Sequence, residues 1–158
     1  MNNPCRLFVL TLPLLVLATR IAAAQESQRT VSEDDLKSVR SRVDTFFQSL
    51  TNPTLGPERA FPELIANGPL KERTDDIKKL IDQALTLDQR YGDYSGHDFA
   101  SSKAVGADLV FLKYLYKGER FPVVFCFTFY RAGPIGGFDR EWSLIGLRFD
   151  SRIEALEK

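Results

Sequence analysis

The chain has 158 residues, 44% of them hydrophobic and 27% charged, which is enough material for one domain that encloses its own core. Its 21 basic and 21 acidic residues balance, which argues against nucleic acid as the main partner, because phosphate binding needs a clustered basic surface.

The first 24 residues read as a secretory signal peptide. Arg6 supplies the basic start, Leu7 to Ala18 the apolar run, and Ala22-Ala23-Ala24 a small-residue cleavage site, so the mature chain is expected to begin near Gln25 in a secreted or periplasmic setting. The apolar run is interrupted by Pro13 and stops at Arg20, short of the ~20 residues that a membrane span requires. No membrane span is expected after cleavage. Cys5 precedes the apolar run and carries no lipoprotein pattern. Loss of Arg6 and Arg20 takes the 21 basic residues to 19 against 21 acidic, so the mature protein stays near neutral. Its one cysteine, Cys126, lies inside an apolar stretch and reads as a small hydrophobe rather than a nucleophile.

Residues 25–31 read as a flexible lead-in to a single domain over 32–158. Ser32 or Thr30 offers an N-cap, and Glu33, Asp34 and Asp35 suit the positive end of a helix dipole. Leu36, Val39, Val43, Phe46, Phe47 and Leu50 then recur at helical spacing up to Asn52-Pro53. A short helix is predicted over Glu58 to Ala66, with Pro57 near its start, Phe61, Leu64 and Ile65 as its buried face, and a left-handed turn at Asn67-Gly68. Ile77, Leu80, Ile81, Ala84, Leu85 and Tyr91 trace a third helix, opening at a capped Thr74 or as early as Pro69 and closing at Gly92.

From Tyr94 the texture becomes small and polar, consistent with a leading strand over Asp98 to Ala107. Three strands follow as a meander: Leu109 to Tyr116, Val123 to Tyr130, and Glu141 to Phe149. A turn centred on Gly118-Glu119 sorts the first two into faces. Val110, Leu112, Tyr114 and Tyr116 fall beside Phe121, Val123, Phe125, Phe127 and Phe129, and this Phe-rich face is expected to meet the helices. Leu109, Phe111, Lys113 and Leu115 fall beside Val124, Cys126, Thr128 and Tyr130 on the outer face. Uninterrupted alternation puts Ser143, Ile145, Leu147 and Phe149 inward and Trp142, Leu144, Gly146 and Arg148 outward. An outer face carrying Phe111, Leu115, Tyr130, Trp142 and Leu144 is too apolar to meet water alone, so it is the predicted interaction surface for a homodimer.

The fold class is therefore α+β, with about three N-terminal helices packed on a curved antiparallel sheet of about four strands. This layout resembles the NTF2-like superfamily, the α+β cone of nuclear transport factor 2, ketosteroid isomerase and SnoaL-type proteins. The Phe46-Phe47 pair, the strand Val123 to Tyr130 and the closing Arg140-Glu141-Trp142-Ser143-Leu144-Ile145 carry the likeness, which spans Ser32 to about Asp150. The resemblance implies a sheet wrapped around the long helix, a pocket at the open end of the cone and, in many members, dimerisation through the outer face. It transfers no catalytic residue, because nothing here matches the acid, tyrosine and protonated-acid set of the isomerase-like members.

Tyr114 and Tyr116, near a strand end, together with Phe127 are the predicted ligand-binding residues, suited to a small apolar ligand. His97 is read as a surface or turn histidine, since its neighbour Asp98 points to the opposite face of a strand. No His, Cys, Asp and Glu cluster has metal-ligand spacing, no catalytic residue or cofactor is expected, and Ala132 to Gly137 reads as a hairpin connection rather than a phosphate loop. The functional expectation is an exported, non-catalytic binding module for a small apolar ligand or a protein partner. The alternatives are an isomerase- or dehydratase-type enzyme with an acid–base group in the cone, and an envelope assembly protein without a pocket.

Overall fold

A computed structural model describes residues 30–132 and 141–156. The predicted signal peptide, the loop glycines 133, 136 and 137, Ile135 and Phe138 lie outside the described residues. The architecture is α+β, with helices preceding a four-stranded antiparallel sheet.

Helix α1 (Glu33–Leu50) starts at Ser32 in a reciprocal cap: the Asp35 amide donates to Ser32 Oγ at 3.1 Å while Ser32 Oγ–H donates to the Asp35 carboxylate at 2.8 Å. Its buried stripe is Val39, Val43, Phe46, Phe47 and Leu50, as the periodicity predicts. Helix α2 (Gly56–Ile65) tolerates Pro62 and buries Phe61, Leu64 and Ile65. The link after it differs from expectation. Gly68 has φ −133°, so there is no left-handed turn; its lack of a side chain matters because a Cβ would lie 2.7 Å from the Leu144 carbonyl oxygen. A 3₁₀ turn (Pro69–Glu72) follows.

The third predicted helix is two. Helix α3 (Thr74–Ala84) begins after Arg73 without the expected side-chain cap and stops before Thr86. Thr86 turns both its amide and its hydroxyl onto the Gln83 carbonyl, a local alternative to continued helix. Leu85 is left 52% exposed, and α4 (Leu87–Tyr91) runs on to Gly92, which closes it at φ +89°.

The sheet is a meander of β1 (Tyr94–Val105), β2 (Leu109–Gly118), β3 (Pro122–Arg131) and β4 (Trp142–Asp150), in that spatial order. Strand β1 starts four residues before the expected Asp98. Pairing of Leu109 with Tyr130 and Tyr116 with Val123 sets the faces of β2 and β3 as predicted. Val110, Leu112, Tyr114, Tyr116, Val123, Phe125, Phe127 and Phe129 are all buried, and Phe46 and Phe47 pack their rings against Phe125 and Phe127. Phe121 is the exception: it precedes β3 and is 63% exposed.

Strand β4 breaks the predicted alternation. Gly146 lies opposite Thr128 but Leu144 lies opposite Phe129, so Ile145 is an extra residue in a bulge. Leu147 and Phe149 stay on the inner side; beyond the bulge every side chain changes face. Trp142 and Leu144, expected on the outer interaction surface, are therefore core residues at 6% and 0% exposure. Ser143, expected inside, instead pairs with Tyr130, and its hydroxyl donates to the Asn67 carbonyl at 2.8 Å.

Polar side chains fix α1 to this end of the sheet. Arg42 donates to the carbonyls of Trp142 and Leu64. Arg131 pairs with Asp35 at 2.9 Å, donates to the Ala107 carbonyl and lies over the Trp142 ring, while Trp142 Nε1–H donates to Asp35 at 3.0 Å.

Candidate functional site

At the opposite end of α1 the chain leaves a cleft of about 480 Å³. The α1–α2 connection (Leu50 to Glu58) forms one wall, the α3–α4 junction a second, and Tyr94 and Tyr116 a third. The walls meet because α4 docks on the β2–β3 turn: the Tyr91 carbonyl accepts the amides of Arg120 and Phe121 at 2.9 and 3.1 Å. A Cβ at Gly118 would lie 2.5 Å from that carbonyl, so the approach needs glycine.

This docking brings Asp88 of α4 to Tyr116 of β2. The tyrosine hydroxyl donates to Asp88 Oδ1 at 2.9 Å. Burial, reinforced by that bond and by the Asp88 charge, pushes the Tyr116 hydroxyl well above the usual phenol range, so it stays protonated and remains a donor. The Tyr94 ring lies 5.0 Å from the Tyr116 ring, centroid to centroid, and burial raises its pKa too.

Behind Tyr94 stands a line of acid–base groups. Tyr94 and His97, three residues apart, face opposite sides of a regular strand. A bulge between Tyr94 and Gly96, with Gly96 at φ +141°, rephases the strand and brings them together. His97 Nδ1 meets the Tyr94 hydroxyl at 2.5 Å, and Nε2 lies 3.4 Å from Asp44 Oδ1. A carboxylate only accepts, which places the proton of a neutral His97 ring on Nε2, leaves Nδ1 as an acceptor and makes Tyr94 the donor to it. The expectation of a surface histidine is corrected: His97 has 19% side-chain exposure and stacks on Phe47 at 4.5 Å. Asp98 does point away, to Lys117, as strand alternation requires.

Arg40, Asp44 and Phe47 occupy one flank of α1, four and three residues apart, over Phe99, His97 and the ring cluster. Tyr114 lies beneath them. Its hydroxyl is buried without a hydrogen-bond partner among the described residues, and burial together with the Asp44 charge pushes its pKa up to about 12.

Of the predicted ligand residues, Tyr116 backs the cleft from the core at 1% exposure, whereas Tyr114 and Phe127 lie in the core away from it, Phe127 at 0% exposure among four aromatic rings. Of the predicted interaction surface, Phe111, Leu115 and Tyr130 remain on the outer face, without Trp142 and Leu144. Sequence reasoning missed Tyr94, Asp88 and Asp44 and read His97 as a surface or turn residue. The α1 periodicity carries a signal for Asp44, which falls three residues before Phe47; nothing local places β1 over it.

A larger recess of about 1280 Å³ lies along the outer face, between the strands and the C-terminal turn (Ile153–Leu156). Its charges are mixed, Lys103, Lys113, Arg148 and Arg152 beside Asp150 and Glu154, and Arg152 is already paired with Asp150 at 2.8 Å. Among the described residues, no group of three or more His, Cys, Asp and Glu converges as metal ligands would, and no helix is long and apolar enough to cross a membrane. No family model, curated protein or solved structure matches the chain.

Proposed function

We propose that the chain is an exported, NTF2-like module that binds a small molecule in the cleft between the end of α1, the α3–α4 junction and the tyrosines of β1 and β2. The observation that carries this reading is the cleft itself. Its volume of about 480 Å³ falls within the range of small-molecule sites, and its walls combine leucines with two tyrosines held in place by hydrogen bonds. Helices followed by a meander whose Phe-rich face receives the long helix favour the NTF2-like assignment, and the N-terminal pattern favours export. The homodimer reading loses its basis, because Trp142 and Leu144 belong to the core.

A second reading is favoured by the Asp44–His97–Tyr94 line, an arrangement suited to moving a proton at Tyr94. It makes the cleft an acid–base active site rather than a simple receptor.

The binding reading is tested by Leu55→Trp, which fills the cleft from a half-buried position on its rim. Native mass spectrometry of the wild type is expected to reveal a retained small molecule, or a thermal-shift screen to yield stabilising compounds, that the variant loses while keeping its circular dichroism. Compounds that stabilise both proteins equally place binding elsewhere. His97→Gln separates the two readings: a receptor keeps its ligand, whereas an enzyme loses turnover.

A further inference from the structure

We infer that His97 is a protonation switch for Tyr94: the charge on its ring decides whether the Tyr94 hydroxyl gives its hydrogen to the imidazole or turns that hydrogen away and accepts instead. The reversal stands on the geometry of three side chains; only its effect on an occupant of the cleft rests on the binding reading.

His97, the only histidine of the chain, is held at both ring nitrogens. Nε2 lies 3.4 Å from Asp44 Oδ1 and Nδ1 lies 2.5 Å from the Tyr94 oxygen, with the ring stacked on Phe47. The two partners are chemically unequal. A carboxylate only accepts, so Asp44 keeps a hydrogen on Nε2 in either charge state of the ring, whereas a hydroxyl both gives and accepts and rotates to suit its neighbour. In the neutral ring Nδ1 is bare and Tyr94 donates to it. In the charged ring Nδ1 carries a hydrogen of its own, the Tyr94 oxygen must accept it, and the phenolic hydrogen has to leave that line. Protonation therefore keeps both contacts and inverts one hydroxyl.

The surroundings leave His97 as the group that responds. Facing its ring are Asp44 from α1, Tyr94 from its own strand, and Tyr114 and Tyr116 from β2; Arg40 stands one turn before Asp44, over Phe99. Asp98 and Lys117 pair with each other on the opposite face, and Asp88 is engaged by Tyr116. An arginine stays charged, and burial raises the pKa of all three tyrosines, that of Tyr114 to about 12, so each keeps its proton through the interval in which an imidazole changes charge. Tyr94 thus redirects its hydrogen rather than losing it. The ring, with 19% of its side chain exposed, exchanges protons with solvent. Of Asp44, His97 and Tyr94, it is Tyr94 that lines the cleft, so its hydroxyl carries the charge state of His97 to that wall. An occupant that donates to Tyr94 is favoured while the ring is neutral, and one that accepts from it while the ring is charged.

Two spectra of the mature protein, followed from about pH 8 to about pH 5, test the switch. In nitrogen NMR of the protein labelled at histidine, Nδ1 is expected to pass from the bare to the protonated range while Nε2 stays in the protonated range throughout. In Raman difference spectra, wild type minus Tyr94→Phe, the tyrosine ring doublet is expected to change over the same interval from the intensity pattern of a hydrogen donor to that of an acceptor. With Asp44→Ala, at a side chain 48% exposed, nothing fixes the hydrogen on Nε2, and the neutral ring is expected to become a mixture of tautomers. A neutral wild-type ring protonated at Nδ1, a ring whose charge does not change in this interval, or a Tyr94 doublet that stays constant while the ring titrates overturns the inference. These spectra need no ligand, so the switch fails or stands separately from the binding reading, which is decided by the compounds lost in Leu55→Trp.

Discussion

Asp35 holds together three elements that sequence places far apart. It closes the reciprocal cap with Ser32, accepts from Trp142 Nε1 and pairs with Arg131, with side-chain exposures of 23% for Asp35 and 18% for Arg131. Partial burial opposes its ionisation, but the hydrogen bonds from Trp142 and Ser32 and the Arg131 charge outweigh that and hold its pKa below the usual carboxylate value. A depressed acid stabilises the fold above its unfolded pKa and loses that contribution as pH falls through the folded value. Asp35→Asn should therefore cost about 1–3 kcal/mol at pH 7. Urea melts of both proteins should show the gap narrowing between about pH 5 and pH 2. A gap of constant size would mean that the charge on Asp35 contributes nothing.

At the scale of elements, the strands divide into those that alternate and those that do not. The faces of β2 and β3 were legible because polar residues mark one side, Lys113 on β2 and Thr128 on β3. Strand β4 has apolar residues on both parities, so its bulge at Ile145 leaves no trace in the pattern, and alternation alone puts Trp142 on the wrong face. The same holds for α3 and α4, where a continuous apolar stripe conceals the break at Thr86. The candidate site is legible only in Tyr116, because Tyr94 and His97 meet through the bulge in β1 and Asp88 reaches the cleft through the docking of α4 on the β2–β3 turn. Gly96 sets that bulge at φ +141°, a conformation that L side chains rarely adopt. Gly96→Ala is expected to cost about 1–2 kcal/mol. It should also separate Tyr94 from His97, visible as a changed environment for the single histidine in NMR spectra. An unshifted histidine signal with wild-type stability would show that the bulge does not depend on glycine.

For the whole molecule, the bulge in β4 changes what the outer face can do. With Trp142 and Leu144 turned inward, its exposed apolar residues are Val105, Phe111, Tyr130 and Ile145, at 48%, 37%, 43% and 36% exposure. Val124, on the same face, is only 1% exposed, and the C-terminal turn packs against its strand. Lys103 and Arg148 stand along the rest of the face. Val105, Leu109 and Tyr130 are cross-strand neighbours with Phe111 beside them, a small and only partly exposed apolar group at one end of a face that carries charges elsewhere, whereas a stable homodimer needs a contiguous apolar centre of several hundred Å² on each partner. Light scattering of the mature protein at high micromolar concentration should therefore give the mass of one chain, unchanged by Phe111→Asp. A doubled mass that this substitution halves would restore the outer face as an interface. The binding cleft is unaffected by either outcome, because its walls come from the helices and from the other face of the sheet.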